Sequence, residues 1–444
     1  MTGRTIVVGG GLAGLTAAFR LARAGTEVVL LEASGRAGGV VRTEERNGYL
    51  LEAGPNTVRL TAPLQALIAE LDLSGEMLLA DAALPRYIDF GGRLHPLPTS
   101  PLALARTRLL SAAGKVRLLS EPLRRRGSGG DESVRDFAAR RLGPEVAGRL
   151  VEPFVAGIFA GDGAELSAAA VFPSLAEWER EHGSLLSGAL AQRRAARQSP
   201  PSPRGLLSFR RGLETLPRAL ARSLGRAFRP GSPVRGVIPE DGRWIVETDA
   251  ERLEAERVIL ATPAWAAAPH VAPFAPEAAS ALESIPHPPL AILHLSWPAA
   301  ALRRPLRGFG HLVVPSASRR ILGAVWSSSL FPGRAPEGRA LLTVFLGGTR
   351  DPGAPELETS ELVSLAVRDL SAEGLVSGDA EFVLLTRWQR AIPQYTPGHA
   401  RRLRALAEAE ARWPGLRFAG GFRGGVSIGD VVAGGIAAAQ SPTP

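Results

Sequence analysis

A short apolar strand that runs directly into Gly9-Gly10-Gly11-Leu12-Ala13-Gly14 constrains this chain more than any other feature. Thr5-Ile6-Val7-Val8 reads as a buried strand, Leu15 to Arg23 as a helix, and Glu27 to Leu31 as a second strand ending at Glu32. A GxGxxG turn between strand and helix, with an acid 23 residues after its first glycine, is the pattern of a dinucleotide-binding βαβ unit. Such glycines let the backbone approach a pyrophosphate at a helix amino terminus, where free N–H groups and the helix dipole favour negative charge. Glu32 stands where an acid accepts hydrogen bonds from the adenosine ribose. A tight structural turn is the competing reading.

With 444 residues the chain is too long for a single core, so two or three domains are expected. Cysteine is absent, which excludes disulfides and cysteine-based metal or redox sites and suits a reducing compartment. The net charge of +9 is carried by arginine, since Lys115 is the one lysine, and it suits acidic ligands or an anionic membrane surface. Only four residues precede the first strand, so no leader is expected. The longest uncharged run, Val258 to Pro276, is broken by Pro263, Pro269 and Pro273, so the expectation is a soluble or membrane-associated protein rather than a transmembrane one. His95, His182, His311 and His399 show no ligand spacing and read as surface or structural; neither a metal nor a nucleic-acid partner is expected.

The segment after the second strand, Glu32-Ala33-Ser34-Gly35-Arg36-Ala37-Gly38-Gly39-Val40-Val41-Arg42-Thr43, resembles that of amine-oxidase-like flavoproteins, as does Glu52-Ala53-Gly54-Pro55-Asn56. In those proteins the first passes the FAD phosphates and the second lies beside the flavin ring. The resemblance makes Gly9, Gly10, Gly11, Leu12, Ala13, Gly14, Glu32, Ala33, Arg36, Gly39, Val40, Arg42, Gly54, Pro55, Asn56 and Thr57 candidate FAD contacts. At the far end, the strand Leu416 to Ala419 feeds Gly420 to Gly425 and a helix from Asp430 to Ala439, which puts Gly421, Val426, Ser427 and Ile428 at a second cofactor clamp. Val234, before the strands Arg243 to Thr248 and Arg257 to Thr262, matches a valine whose backbone touches adenine.

Several further segments occur together in one order: Arg86-Tyr87-Ile88, Gly91 to Pro98, Arg140 to Val146, Glu152 to Asp162, Arg211 to Pro217, Gly308 to Val313 and Ile392 to His399. Across nearly the whole chain they resemble the FAD-dependent, oxygen-dependent protoporphyrinogen IX oxidase family of haem synthesis. The fold this implies is α/β: a discontinuous Rossmann-like FAD domain of the p-hydroxybenzoate-hydroxylase type, a mixed-sheet substrate domain and a mainly helical membrane-binding domain. The expected segments are 1–80, 223–265 and 396–444 for FAD, 81–91, 205–222 and 266–395 for substrate, and 92–204 for the helices. The stretch Leu102 to Leu119, with Arg106, Arg108, Lys115 and Arg117, reads independently as one amphipathic basic helix, flanked by Arg124 to Arg126 and by Arg193-Arg194.

The implied reaction is a six-electron oxidation of protoporphyrinogen IX, by hydride transfer from a methylene bridge to flavin N5 and reoxidation by dioxygen. It demands position rather than acid–base catalysis, so no catalytic side chain is expected. The resemblance makes Arg86 the propionate anchor, Leu312, Val325 and Phe345 the apolar contacts of the macrocycle, and Gly157 a close neighbour of flavin and substrate. Asn56 stands where some relatives carry arginine. Coproporphyrinogen III oxidation and flavin amine oxidation are the competing activities. The partners implied are protoporphyrinogen IX, dioxygen and the anionic inner face of a bacterial-type cell membrane, reached from the cytoplasm, with ferrochelatase and a second copy of the chain as further candidates.

Overall fold

The computed structural model describes residues 3–127, 129–198, 205–315 and 319–440. Five parallel strands lie in the spatial order Phe228–Pro230, Val28–Glu32, Thr5–Val8, Arg257–Leu260 and Leu416–Phe418. The central strand Thr5–Val8 pairs in register with residues 28–31 on one side and 257–260 on the other. Its continuous apolar run follows from burial on both faces. Val7, Leu30 and Ile259 enter one apolar layer with the helices Leu12–Arg23 and Ile428–Ala439. Ile6, Val8, Leu31 and Leu260 enter the opposite layer with an antiparallel ribbon, Val234–Glu240, Arg243–Thr248 and Arg252–Ala255. Each such side chain taken fully out of water contributes ~1.5–3 kcal/mol.

The first and last helices are in direct contact. A Cβ added at Gly435 lies 2.5 Å from the Ala13 carbonyl oxygen, so only glycine allows this approach.

A second sheet has seven strands, in the order Phe382–Trp388, Leu290–Pro298, Arg339–Gly347, Ile321–Val325, Gly310–Val313, Arg86–Phe90 and Arg93–Pro96. Gly310–Val313 and Arg86–Phe90 run parallel; the other neighbours are antiparallel. One face packs on the helix Thr359–Ala372. Over the other face lies the helix Glu152–Phe159, part of a helical region that begins at Pro101 and runs to Gln198.

Three boundaries read from sequence change. Residues 93–96 are an edge strand rather than the start of the helical region, because Gly91 and Gly92 both take positive φ (64° and 73°) and close a two-residue hairpin. Residues 205–222 do not join the seven-stranded sheet. Leu206–Phe209 pairs with Val58–Arg59 and Met77–Leu79, and Leu216 and Leu220 of the helix Thr215–Leu224 enter the layer of the first helix. The break at 265/266 falls inside the helix Ala264–Val271, which packs with Pro276–Glu283 on the five-stranded sheet. The break at 204/205 falls at 199–204, outside the described residues.

The expected single helix over 102–119 is two helices, Pro101–Arg106 and Ala112–Leu119. Thr107 is extended, and the Ser111 hydroxyl caps the second helix by accepting from the Gly114 N–H at 3.0 Å. The break turns Leu109 and Leu110 into the interior, a burial that a continuous helix would forfeit.

Candidate active site

At the carboxyl ends of the parallel strands the glycine turn forms a surface without side chains. Gly9 takes φ +107°, and a Cβ at Gly14 would lie 2.0 Å from the Gly9 carbonyl oxygen, so both positions demand glycine. Above Gly11 the space is open to 4 Å. The helix beyond it has no side-chain cap, so its first-turn N–H groups carry the partial positive charge that suits phosphate. Glu32 reaches back over this turn: its Oε2 accepts from the Gly10 N–H at 2.6 Å and its Oε1 from the Ser34 N–H at 2.8 Å, beside exposed Ala33. Ser232 N–H donates to the Glu32 carbonyl at 2.8 Å, which brings Val234, at the head of its strand, toward the same end of the sheet. An open glycine cradle, an uncapped helix start and an acid at the second strand's end fit a dinucleotide.

The loop beyond Glu32 is braced by Arg36, whose guanidinium donates to the carbonyls of Gly39 (2.5 Å) and Val41 (3.2 Å) and lies 3.7 Å from Glu214. Arg36 therefore shapes the loop. Arg42 pairs with Glu44 at 2.8 Å on the exposed side. Gly39 and Val40 are exposed, and Gly54 fits against them so closely that a Cβ there would lie 2.0 Å from the Val40 carbonyl oxygen. Pro55 and Thr57 follow, half-buried, and the Asn56 amide donates to the Gly54 carbonyl at 3.0 Å.

Glu52, just before this turn, is a residue that sequence reasoning left without a role. Its Oε1 accepts from the Leu213 N–H at 2.9 Å, and its Oε2 from the Thr43 hydroxyl at 2.7 Å. Arg334 stands 3.8 Å away and donates to Ser208 Oγ at 2.5 Å. Burial pushes the Glu52 carboxyl up to about 7, against the pull of Arg334. Three chain segments meet on this one side chain, two of them more than 150 residues away, and nothing in its local sequence announces that.

The carboxy-terminal clamp lies beside the same cradle. The Tyr395 hydroxyl donates to the Gly421 carbonyl, Val426 packs on the helical region's core, the Ser427 hydroxyl caps the last helix by accepting from the Asp430 N–H at 3.2 Å, and Ile428 enters the first helix's layer.

The seven-stranded sheet supplies the other wall. In one cross-strand row Arg86, Gly310 and Val325 are neighbours; in the next, Leu312, Gly323 and Phe345. Paired residues share a face, so Arg86, Leu312, Val325 and Phe345 all present to one side. Each row has a glycine in the middle, with φ 147° at Gly310 and 155° at Gly323, and a Cβ at either would strike backbone. The result is one wall of a slot, with the half-buried Leu312, Val325 and Phe345 on it and Arg86 at its edge. Gly157 meets it from the helix above: a Cβ there would lie 2.3 Å from Leu312 Cδ2. At the rim the exposed Arg86 guanidinium lies over the Phe309 ring, 5.2 Å from its centroid. The seven-stranded sheet is tied to the Gly54 turn by Trp388, whose Nε1 donates to the Ala53 carbonyl at 2.7 Å. The row-centre glycines and Trp388 were not legible beforehand, because a glycine's cross-strand neighbour is set by register alone.

The model of the flavin-containing amine oxidoreductase family matches residues 12–441. Protoporphyrinogen oxidase of Homo sapiens is 36% identical and covers 99% of this chain and 98% of its own length. The chloroplastic protoporphyrinogen oxidase of Oryza sativa subsp. japonica is 35% identical over 97% of this chain and 86% of its own length. Among solved structures, an Exiguobacterium sp. 255-15 protein with a provisional protoporphyrinogen oxidase assignment superposes with a TM-score of 0.82 at 27% identity, covering 99% of this chain and 98% of that one.

Proposed function

This chain belongs to the flavin-containing amine oxidoreductases and, within them, to the protoporphyrinogen oxidase family, and on that premise we propose that it oxidises protoporphyrinogen IX to protoporphyrin IX with dioxygen as final acceptor. The observation that carries the reading is the sheet face on which Leu312, Val325 and Phe345 present apolar side chains to one side, with Arg86 exposed at its rim. FAD, when bound, supplies the two-electron acceptor that dioxygen restores.

The chain's own residues bind, orient and exclude water. Arg86 takes a propionate through its planar fork of donors, which fixes orientation as well as affinity. Leu312, Val325 and Phe345 hold the macrocycle by apolar contact, and Gly157 keeps the covering helix close. Gly9 to Gly14, with Glu32, Val234 and the Gly421 to Ile428 clamp, hold the cofactor, while Glu52 and Arg36 set the loops that carry Gly54 and Gly39. Held a few ångströms from the acceptor, a methylene carbon needs no general base, since pyrrole N–H protons leave by tautomerisation.

Purified protein given protoporphyrinogen IX in air is expected to develop porphyrin fluorescence together with hydrogen peroxide. The same assay with coproporphyrinogen III and with a primary amine separates the alternatives. Faster turnover of either, relative to KM, would replace this reading.

The helical region supports a peripheral seat on an anionic membrane. Leu119 and Leu123 are exposed at 70% and 87%, near exposed Leu102, Val116, Leu186 and Leu190 and beside Arg124, Arg125, Arg126, Arg193 and Arg194. Arg117 is not part of this surface, because its guanidinium turns inward to the carbonyls of Arg140 and Arg141. Among the described residues no helix is long and apolar enough to cross a membrane. Replacing Leu119 and Leu123 together by Glu removes apolar contact and adds repulsion, so binding to phosphatidylglycerol vesicles should fall about 10-fold or more with turnover in detergent unchanged. Cosedimentation that stays at the wild-type level would exclude this surface.

A further inference from the structure

The face of the seven-stranded sheet turned away from the slot holds a buried polar cluster that the reaction does not use. Neighbours along a strand point to opposite faces, so the slot positions are backed by its members: Tyr87 follows Arg86, His311 lies between Gly310 and Leu312, and Trp326 follows Val325. His311 Nε2 stands 2.9 Å from Glu373 Oε2, with both side chains fully buried. Trp326 Nε1 donates to His311 Nδ1 at 3.2 Å. An indole can only donate, so Nδ1 is the bare nitrogen and Nε2 is the nitrogen that stands at ion-pair distance from the carboxylate, although no hydrogen bond joins them.

From there the contacts reach the anchor. The Trp326 ring stacks on Tyr87 with centroids 5.2 Å apart, the Trp326 backbone N–H donates to the Phe309 carbonyl at 3.0 Å, and the Phe309 ring supports Arg86. Asp89 and Arg319 close the cluster, 3.6 Å apart. Burial, and after it the charge of Glu373, raises the Asp89 carboxyl above the usual range. The Glu373 carboxylate has no hydrogen-bond partner among the described residues, so its 2.9 Å contact with His311 is the pairing that ties the end of the helix Thr359–Ala372 to the middle of the slot's strands.

We propose that His311 and Glu373 are positioning residues that clamp the reverse side of the slot and fix Arg86 relative to Leu312 and Val325. The inference rests on reading the slot as the tetrapyrrole site. In the flavin-loaded enzyme, Glu373→Ala is expected to raise KM for protoporphyrinogen IX about 10-fold, the size of one lost buried polar contact, with kcat and flavin content little changed. Glu373→Gln keeps the side-chain shape and an oxygen beside Nε2, and should restore most of the affinity. A wild-type KM in Glu373→Ala, or an equal rise in both variants, overturns the clamp.

Should Glu373→Ala yield no soluble flavoprotein, Trp326→Phe carries the test, because it keeps an aromatic ring beside Tyr87 and removes the indole N–H. A rise in KM of about 3-fold is then expected, and an unchanged KM refutes the proposal. Wild-type protein that leaves protoporphyrinogen untouched overturns the substrate reading and the clamp with it. Turnover by wild type with KM unmoved in the variants overturns the clamp alone.

Discussion

Arg86→Ala is expected to raise KM for protoporphyrinogen about 30- to 150-fold, the equivalent of about 2–3 kcal/mol for a charge-assisted, bidentate contact. Flavin absorbance and kcat should stay near wild type, because Arg86 stands at the slot's rim over Phe309 and touches neither the glycine cradle nor the Gly54 turn. Arg86→Lys keeps the charge but loses the planar fork, and should recover only part of the affinity. Steady-state kinetics of the three proteins on one substrate decide the matter. A KM unmoved in Arg86→Ala means that the carboxylates are held elsewhere.

The second large effect concerns pH. Burial pushes the Glu52 carboxyl from its ordinary 4.5 up to about 7. The folded protein therefore keeps a proton through a range in which the unfolded chain has released it. Stability from this group is complete below pH 4.5, declines as pH rises toward 7, and is flat beyond. The gap between the two values corresponds to a loss of about 3 kcal/mol across that window. Glu52→Gln, neutral at every pH, should abolish this decline, although it also leaves Arg334 facing an amide. Thermal unfolding of both proteins from pH 4.5 to 8 tests it: wild type should lose ground to the variant as pH climbs, and parallel curves would show that Glu52 is charged throughout.

The sequence disclosed the cofactor side of the molecule far better than the substrate side. A GxGxxG turn has its physical cause in its own residues, since Gly9 and Gly14 are fixed by positive φ and by a contact only five positions apart. The slot has no such local cause. Leu312, Val325 and Phe345 lie in strands buried on both faces, which erases the alternation that would show which side each residue faces. They were legible through family resemblance alone. Glu52, Trp388 and the His311–Glu373 pair find their partners far away in sequence, so only the fold reveals them. Over 102–119 the helical content was legible, whereas the division into two helices, the second capped by Ser111, was not.

The five-stranded sheet has a consequence for biosynthesis. Its central strand, Thr5–Val8, is made well before one flanking strand, Arg257–Leu260, and long before the edge strand Leu416–Phe418 and the helix against Ala13. A ribosome must therefore translate on through that helix before the nucleotide cradle has its walls. Cofactor loading waits on these late segments, and until they emerge one apolar edge of the central strand stays unpaired.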